Sequence, residues 1–135
     1  MQDYVTEQFM SVLKNALDSY QDSNDPYILI VLGKAYVSFF IDNPQYYTFL
    51  FSQPCMEVNL AIDADSANNF PPYELFRSTV LNIYKNSDMS EEKKQDTILL
   101  LWSTVHGLSA IAGMKNVYYD KNWKLKIEDI IVNKL

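Results

Sequence analysis

Apolar residues in this chain recur three and four positions apart almost throughout, and strict alternation is absent, so helices rather than strands are predicted. Val5, Phe9, Val12, Leu13, Ala16, Leu17 and Tyr20 form the stripe of a first helix over roughly Gln2 to Tyr20. A polar link, Gln21 to Asn24, precedes Asp25-Pro26, a carboxylate cap with proline at the first helical position. That pair starts a second helix running to about Asp42, apolar nearly all round in its middle, as the most buried element would be. Asn43-Pro44 repeats the start signal and opens a short aromatic helix with Tyr46, Tyr47, Phe49 and Phe51, which reaches about Ser52 before Pro54 stops it. Glu57 to Asn69 loses periodicity and ends polar and acidic, predicting a mobile connection. Pro71-Pro72 opens a fourth helix over Tyr73 to Lys85, with Leu75, Phe76, Thr79, Val80 and Ile83 inward. Ser90-Glu91-Glu92, a hydroxyl cap and two carboxylates at the positive end of the helix dipole, opens a fifth that continues to about Met114. After a short link, Trp123 to Lys134 forms the last helix, with Trp123, Ile127, Ile130 and Ile131 on one face and Leu125 and Val132 opposite. The expected fold is all-α: one domain over residues 1–135, a bundle of about six helices.

The fifth helix departs from the ordinary pattern. Projected at the helical angle, one face holds Ile98, Trp102, Val105, His106, Ser109 and Ala112. The other holds Leu100, Thr104, Gly107, Leu108 and Ile111, with Ser103 and Met114 at its edge. An outer helix of a small bundle needs one apolar face, and this one has two. The last helix has a weaker surplus. Two consecutive helices with spare apolar surface predict a four-helix interface between two copies across a two-fold axis, with Leu100, Thr104, Gly107, Leu108, Ile111, Ile127, Ile130 and Ile131 in it. The competing reading is a helix covered on both sides by its own chain.

Charge and composition narrow the function. Seventeen acidic against eleven basic side chains give a net charge of -6, a balance that repels phosphates. The basic residues, Lys93-Lys94 and the spaced Lys121, Lys124 and Lys126, read as solvated helix faces. A single cysteine, Cys55, excludes an internal disulfide framework and suits a cytoplasmic location; with no base near it in sequence, it reads as packing. The start, Met1-Gln2-Asp3-Tyr4, has neither the basic nor the apolar segment of a signal peptide. The apolar stretches Ile28–Ile41 and Ile98–Met114 carry Lys34 and His106 respectively, and read as buried helices rather than membrane spans. No metal-ligand cluster, glycine-rich phosphate loop or paired carboxylates beside the only histidine are present, so neither an enzyme nor a cofactor is expected. Glu91-Glu92 and Glu128-Asp129 read as solvent charges.

The ten tyrosines, seven phenylalanines and two tryptophans are the remaining chemistry. Trp102 and His106 stand one helical turn apart on one face. Tyr36, Phe39 and Phe40 on the second helix, Tyr47 and Phe51 on the third, and Phe76 and Tyr84 on the fourth are candidates to converge with them. Converging, they would line an apolar cavity with a few polar handles, as small-molecule sites have. Alternatively the rings fill the core and His106 is a buried imidazole with a backbone partner.

Two stretches together resemble a known family. Leu32-Gly33-Lys34-Ala35-Tyr36-Val37-Ser38-Phe39-Phe40-Ile41-Asp42-Asn43-Pro44-Gln45-Tyr46-Tyr47 and, in the long penultimate helix, Trp102 with His106-Gly107, are similar to the C-terminal regulatory domain of tetracycline-repressor-like (TetR-family) transcription factors, in the subgroup named for a Trp-His-Gly motif. The resemblance implies a homodimer built by the last two helices and an inducer pocket enclosed by the middle ones. It also implies a basic helix-turn-helix unit ahead of the domain. Gln2 to Tyr20 would match the helix that follows that unit, so DNA would be bound only through a part outside this chain. The alternative is a helical dimerisation or protein-interaction module with a filled core and no ligand.

Overall fold

A computed structural model describes residues 2–20, 24–51, 58–61 and 69–133. These form six helices: α1 Gln2–Asp18, α2 Ile28–Asp42, α3 Pro44–Phe51, α4 Pro71–Ile83, α5 Glu91–Gly113 and α6 Trp123–Asn133. No strand occurs among the described residues, and the fold is an all-α bundle. Cys55, Ser52 and much of the Glu57–Asn69 connection lie outside them.

The bundle is organised around α2, which packs against all five other helices. Its residues Leu32, Tyr36, Val37 and Phe40 are fully buried, as its all-round apolar middle requires. Gly33 sets how closely two neighbours approach. A Cβ there would stand 3.0 Å from Ile131 Cδ1 of α6 and 3.2 Å from Val105 Cγ1 of α5. From α1, Val5, Phe9 and Leu13 insert at four-residue spacing, whereas Val12 turns outward.

Helix α2 starts two residues later than Asp25-Pro26 predicts. The Asp25 carboxylate is used one step earlier, accepting from the Tyr20 hydroxyl at 2.6 Å and the Tyr27 backbone N–H at 3.0 Å. It therefore fastens the α1–α2 turn and leaves Tyr27 as the residue before the helix. The Ser90 cap forms as expected, its hydroxyl accepting from Lys93 N–H at 3.1 Å. A cap that the sequence reading passed over opens α6: Asn122 Oδ1 accepts from Lys124 N–H at 2.9 Å and Leu125 N–H at 3.2 Å.

Two further expectations are corrected. On α4 the buried residues are Pro72, Tyr73, Phe76, Arg77 and Val80, with Leu75, Thr79 and Ile83 only half-buried. Glu128 is not a free solvent charge, since its carboxylate accepts from Lys34 Nζ at 3.0 Å and ties α6 to α2. In the connection after α3, Asn69 is buried and clasps Asn59 twice: its Oδ1 accepts from Asn59 N–H at 2.8 Å, and its Nδ2 donates to Asn59 O at 3.1 Å.

Candidate functional site

Helix α5 turns Ile98, Val105 and Ser109 into the core, and Trp102 and His106 follow on the same side, half-buried. Ser109 is inward at no cost because its hydroxyl donates to Val105 O, one turn back, at 2.7 Å. At the centre of this face the His106 ring is held at both nitrogens by tyrosine hydroxyls. Tyr36 of α2 is 3.2 Å from Nδ1 and Tyr47 of α3 is 3.0 Å from Nε2. A neutral imidazole has one N–H and one lone pair, so one hydroxyl accepts and the other donates, whichever nitrogen carries the proton.

Aromatic rings close around that chain. Phe51 meets His106 edge-on at 4.4 Å, and Trp102 lies 4.9 Å away along the helix. Tyr73 stands edge-on to Trp102 at 5.0 Å. Phe40 touches both Tyr47 and Phe51, and Phe76 touches Tyr36. The structure therefore brings together Tyr36, Phe40, Tyr47, Phe51, Phe76, Trp102 and His106. Phe39 is directed elsewhere, stacked on Phe9 at 4.8 Å and on Tyr46 at 5.9 Å. It lines a groove of about 470 Å³ between α1 and α2. Tyr84, at the end of α4, packs on a second cluster formed by Leu29, Phe70, Tyr73, Val80 and Ile98.

Burial sets the charge state of this cluster. It lowers the pKa of His106 below the usual imidazole value and raises the Tyr47 hydroxyl above the usual phenol range. The wholly buried Tyr36 hydroxyl is raised furthest, although the nearby Trp102 N–H favours its ionised form. That indole N–H bears on the hydroxyl without reaching hydrogen-bond geometry: Trp102 Nε1 is buried and has no partner among the described residues. Near neutral pH the cluster is uncharged. An ion pair on α4 lies beside Tyr73, where Arg77 Nη1 donates to Glu74 Oε1 at 2.7 Å.

Sequence reasoning missed Tyr73, Phe70 and Phe9. Tyr73, Phe76 and Val80 repeat at helical spacing, a signal that was available. Phe9, the ring on which Tyr36, Phe39 and Phe40 all pack, carried no sequence mark beyond its place in the α1 stripe.

The outer face of α5 contrasts with the inner one. Leu100 is 55% exposed and Ile111 42%, with Leu99 and Met114 beside them. Thr104 and Leu108 are half-buried, and a Cβ on Gly107 would meet nothing. On α6 the expectation needs correcting. Ile127 and Ile131 are 1% and 7% exposed and belong to the chain's own core, Ile130 is half-buried, and the outward residues are Leu125 and Val132. Gly33 on α2 leaves room for Ile131 of α6 to pack inward.

Among the described residues no helix is long and apolar enough to cross a membrane, and no three potential metal ligands cluster. No curated protein and no solved structure matches the chain. The sequence profile of the tetracyclin repressor-like C-terminal domain matches residues 29–116, from α2 through α5 and well over half of the chain. Domains of this family generally dimerise and bind small-molecule effectors for a transcriptional regulator, and they are typically not enzymes. With the six-helix bundle and the match across its middle four helices, the chain belongs to the tetracyclin repressor-like C-terminal domain family.

Proposed function

We propose that residues 1–135 form a single effector-sensing and dimerisation domain of a cytoplasmic TetR-like regulator, of the Trp-His-Gly kind. In this reading a small, largely apolar or aromatic ligand engages the inner side of α5 at Trp102 and His106. The homodimer forms through the outer side, and DNA is read by a helix-turn-helix unit outside these residues. The supporting observation is that α5 carries both surfaces back to back: a neutral polar cluster of Tyr36, Tyr47 and His106 on one side, and exposed Leu100 and Ile111, with open space beyond Gly107, on the other. A ligand that contacts the two positions of α5 unequally shifts their populations, and the shift crosses the two-fold axis because the same helix builds the interface. Paired DNA-reading heads are sensitive to such a shift because their spacing must match the operator's half-sites.

A second reading, a dimerisation module without a ligand, draws support from the mutual contacts of Tyr36, Phe40 and Phe76, which already fill the centre. A thermal-shift screen of small uncharged aromatic compounds separates the two. Saturable stabilisation that is lost in Trp102→Phe and His106→Gln supports sensing at this cluster. Hits indifferent to both variants place the site elsewhere, and a screen without hits favours the filled module.

A further inference from the structure

Between α3 and the last turn of α5 lies a cleft of about 200 Å³ lined by Pro44, Tyr47, Thr48, Ala110, Gly113 and Met114. Building on the ligand-sensing reading, we propose that this cleft seats the ligand, and that the ligand is a small uncharged aromatic alcohol of the phenol class whose hydroxyl takes the place of Tyr47's on His106 Nε2.

Three features carry the inference. Among the described residues the lining contains no charged side chain, so a charged ligand would be desolvated without compensation while a neutral ring would not. Tyr47 belongs both to the cleft wall and to the hydrogen bond on His106, so one side-chain rotation joins the cleft to the imidazole. Helix α3 can yield to that rotation: it has eight residues, of which only Leu50 is buried. A hydroxyl suits the imidazole better than a carbonyl, which only accepts, or an ammonium, which only donates, because it does either and so fits either tautomer, as Tyr47 itself does.

The cleft also meets α5 next to a residue of its outer face. Ala110 lines the cleft and Ile111, the next residue, is 42% exposed on the outer side. Gly113 lies in the floor, where a Cβ would make ordinary van der Waals contact with Pro44 Cβ at 3.7 Å.

The test uses the whole chain with three one-ring probes, phenol, toluene and benzoate, titrated by calorimetry against the native sequence, Tyr47→Phe and Ala110→Phe. Phenol is expected to bind saturably, toluene about tenfold more weakly for want of the hydrogen bond, and benzoate not at all. Tyr47→Phe removes the internal competitor, so phenol tightens about fivefold while toluene stays unchanged; a merely structural Tyr47 would not produce that split. Ala110→Phe fills the cleft and abolishes binding, with its helical circular dichroism confirming that it folds. Phenol binding that equals toluene binding, or that survives Ala110→Phe, overturns the cleft assignment. If it survives Ala110→Phe but is lost in Trp102→Phe, ligand sensing at the aromatic cluster stands and only the cleft falls. If no probe binds, the phenol-class assignment falls, and the broader compound screen decides the sensing reading separately.

Discussion

The two faces of α5 come from one helix and differ in how their apolar residues are satisfied. On the inner side Ile98, Val105 and Ser109 are buried, and His106 has a hydroxyl at each ring nitrogen. On the outer side Leu100, Ile111 and Met114 remain in water, and the space over Gly107 is open. Exposed apolar residues scattered singly are ordinary, but Leu100 and Ile111 share one face about three turns apart with a glycine between them, the surface that the proposed homodimer would cover. The difference teaches that hydrophobicity along a helix reports demand for cover, while the structure reports whether the chain supplies it.

The strongest way to break the comparison is to charge the outer face. With Leu100→Glu and Ile111→Glu together, each copy loses two large apolar contacts, at about 1.5–3 kcal/mol per fully buried side chain. Self-association measured by sedimentation velocity should weaken about a thousandfold or more, with helical circular dichroism unchanged. A chain that is monomeric before and after the substitution removes the homodimer from the reading.

Much of this contrast was legible in the sequence, because helical periodicity separates the two faces of α5 without any knowledge of neighbours. What periodicity leaves open is the identity of the cover. Ile127 and Ile131 form an apolar pair one turn apart, as a dimer face would, yet both are buried in the chain's own core, Ile131 in the room that Gly33 leaves on α2. Phe39 and Phe40 are adjacent and so point about 100° apart on a helix; only Phe40 reaches the cluster around His106. The burial of Tyr73 was signalled by its spacing to Phe76 and Val80, but its place in the site was not: that comes from Trp102, which lies far along the chain and meets it only after α4 docks on α5. The Ser90 cap and the start of α3 at Pro44 rest on local chemistry and were readable, although the Asn43 side chain donates back to Phe39 O at the end of α2 rather than capping α3. Asp25 was misplaced by two residues because its partner, the Tyr20 hydroxyl, belongs to the preceding turn.

The two glycines sharpen the same contrast at an intermediate magnitude. Gly33 is walled by Ile131 and Val105, so Gly33→Leu should overpack the α2–α5–α6 junction and cost about 1–3 kcal/mol in urea unfolding. Gly107→Ala meets open space within the chain and replaces a poor helix former, so the isolated monomer should gain up to about 1 kcal/mol. Measured in the Leu100→Glu, Ile111→Glu background, that gain reports the helix alone. In the native background Gly107→Ala should weaken pairing, because the added methyl stands between two helices. Destabilisation of the monomer by Gly107→Ala would mean that its open face is covered by the chain itself.

The smallest effect belongs to the inner face and depends on pH. Burial holds His106 below the ordinary histidine pKa of 6.5, and the groups at its two nitrogens are the hydroxyls of Tyr36 and Tyr47, which burial keeps neutral. The unfolded chain therefore takes up a proton at a pH where the folded chain does not, and stability rises with pH across that window. The contribution of the neutral imidazole is complete above about pH 6.5 and is lost as pH falls from there through the lower, folded value. Urea midpoints at about pH 7.5 and 5.5 should differ in the native sequence and converge in His106→Gln, which has no proton to gain. Carboxylates such as Asp25, held below their usual range by the Tyr20 hydroxyl and the Tyr27 N–H, lose their contribution only at more acidic pH and leave this window to the histidine. Equal slopes in the two proteins would mean that the imidazole is as well solvated folded as unfolded, and that the inner face of α5 is no more sealed than the outer.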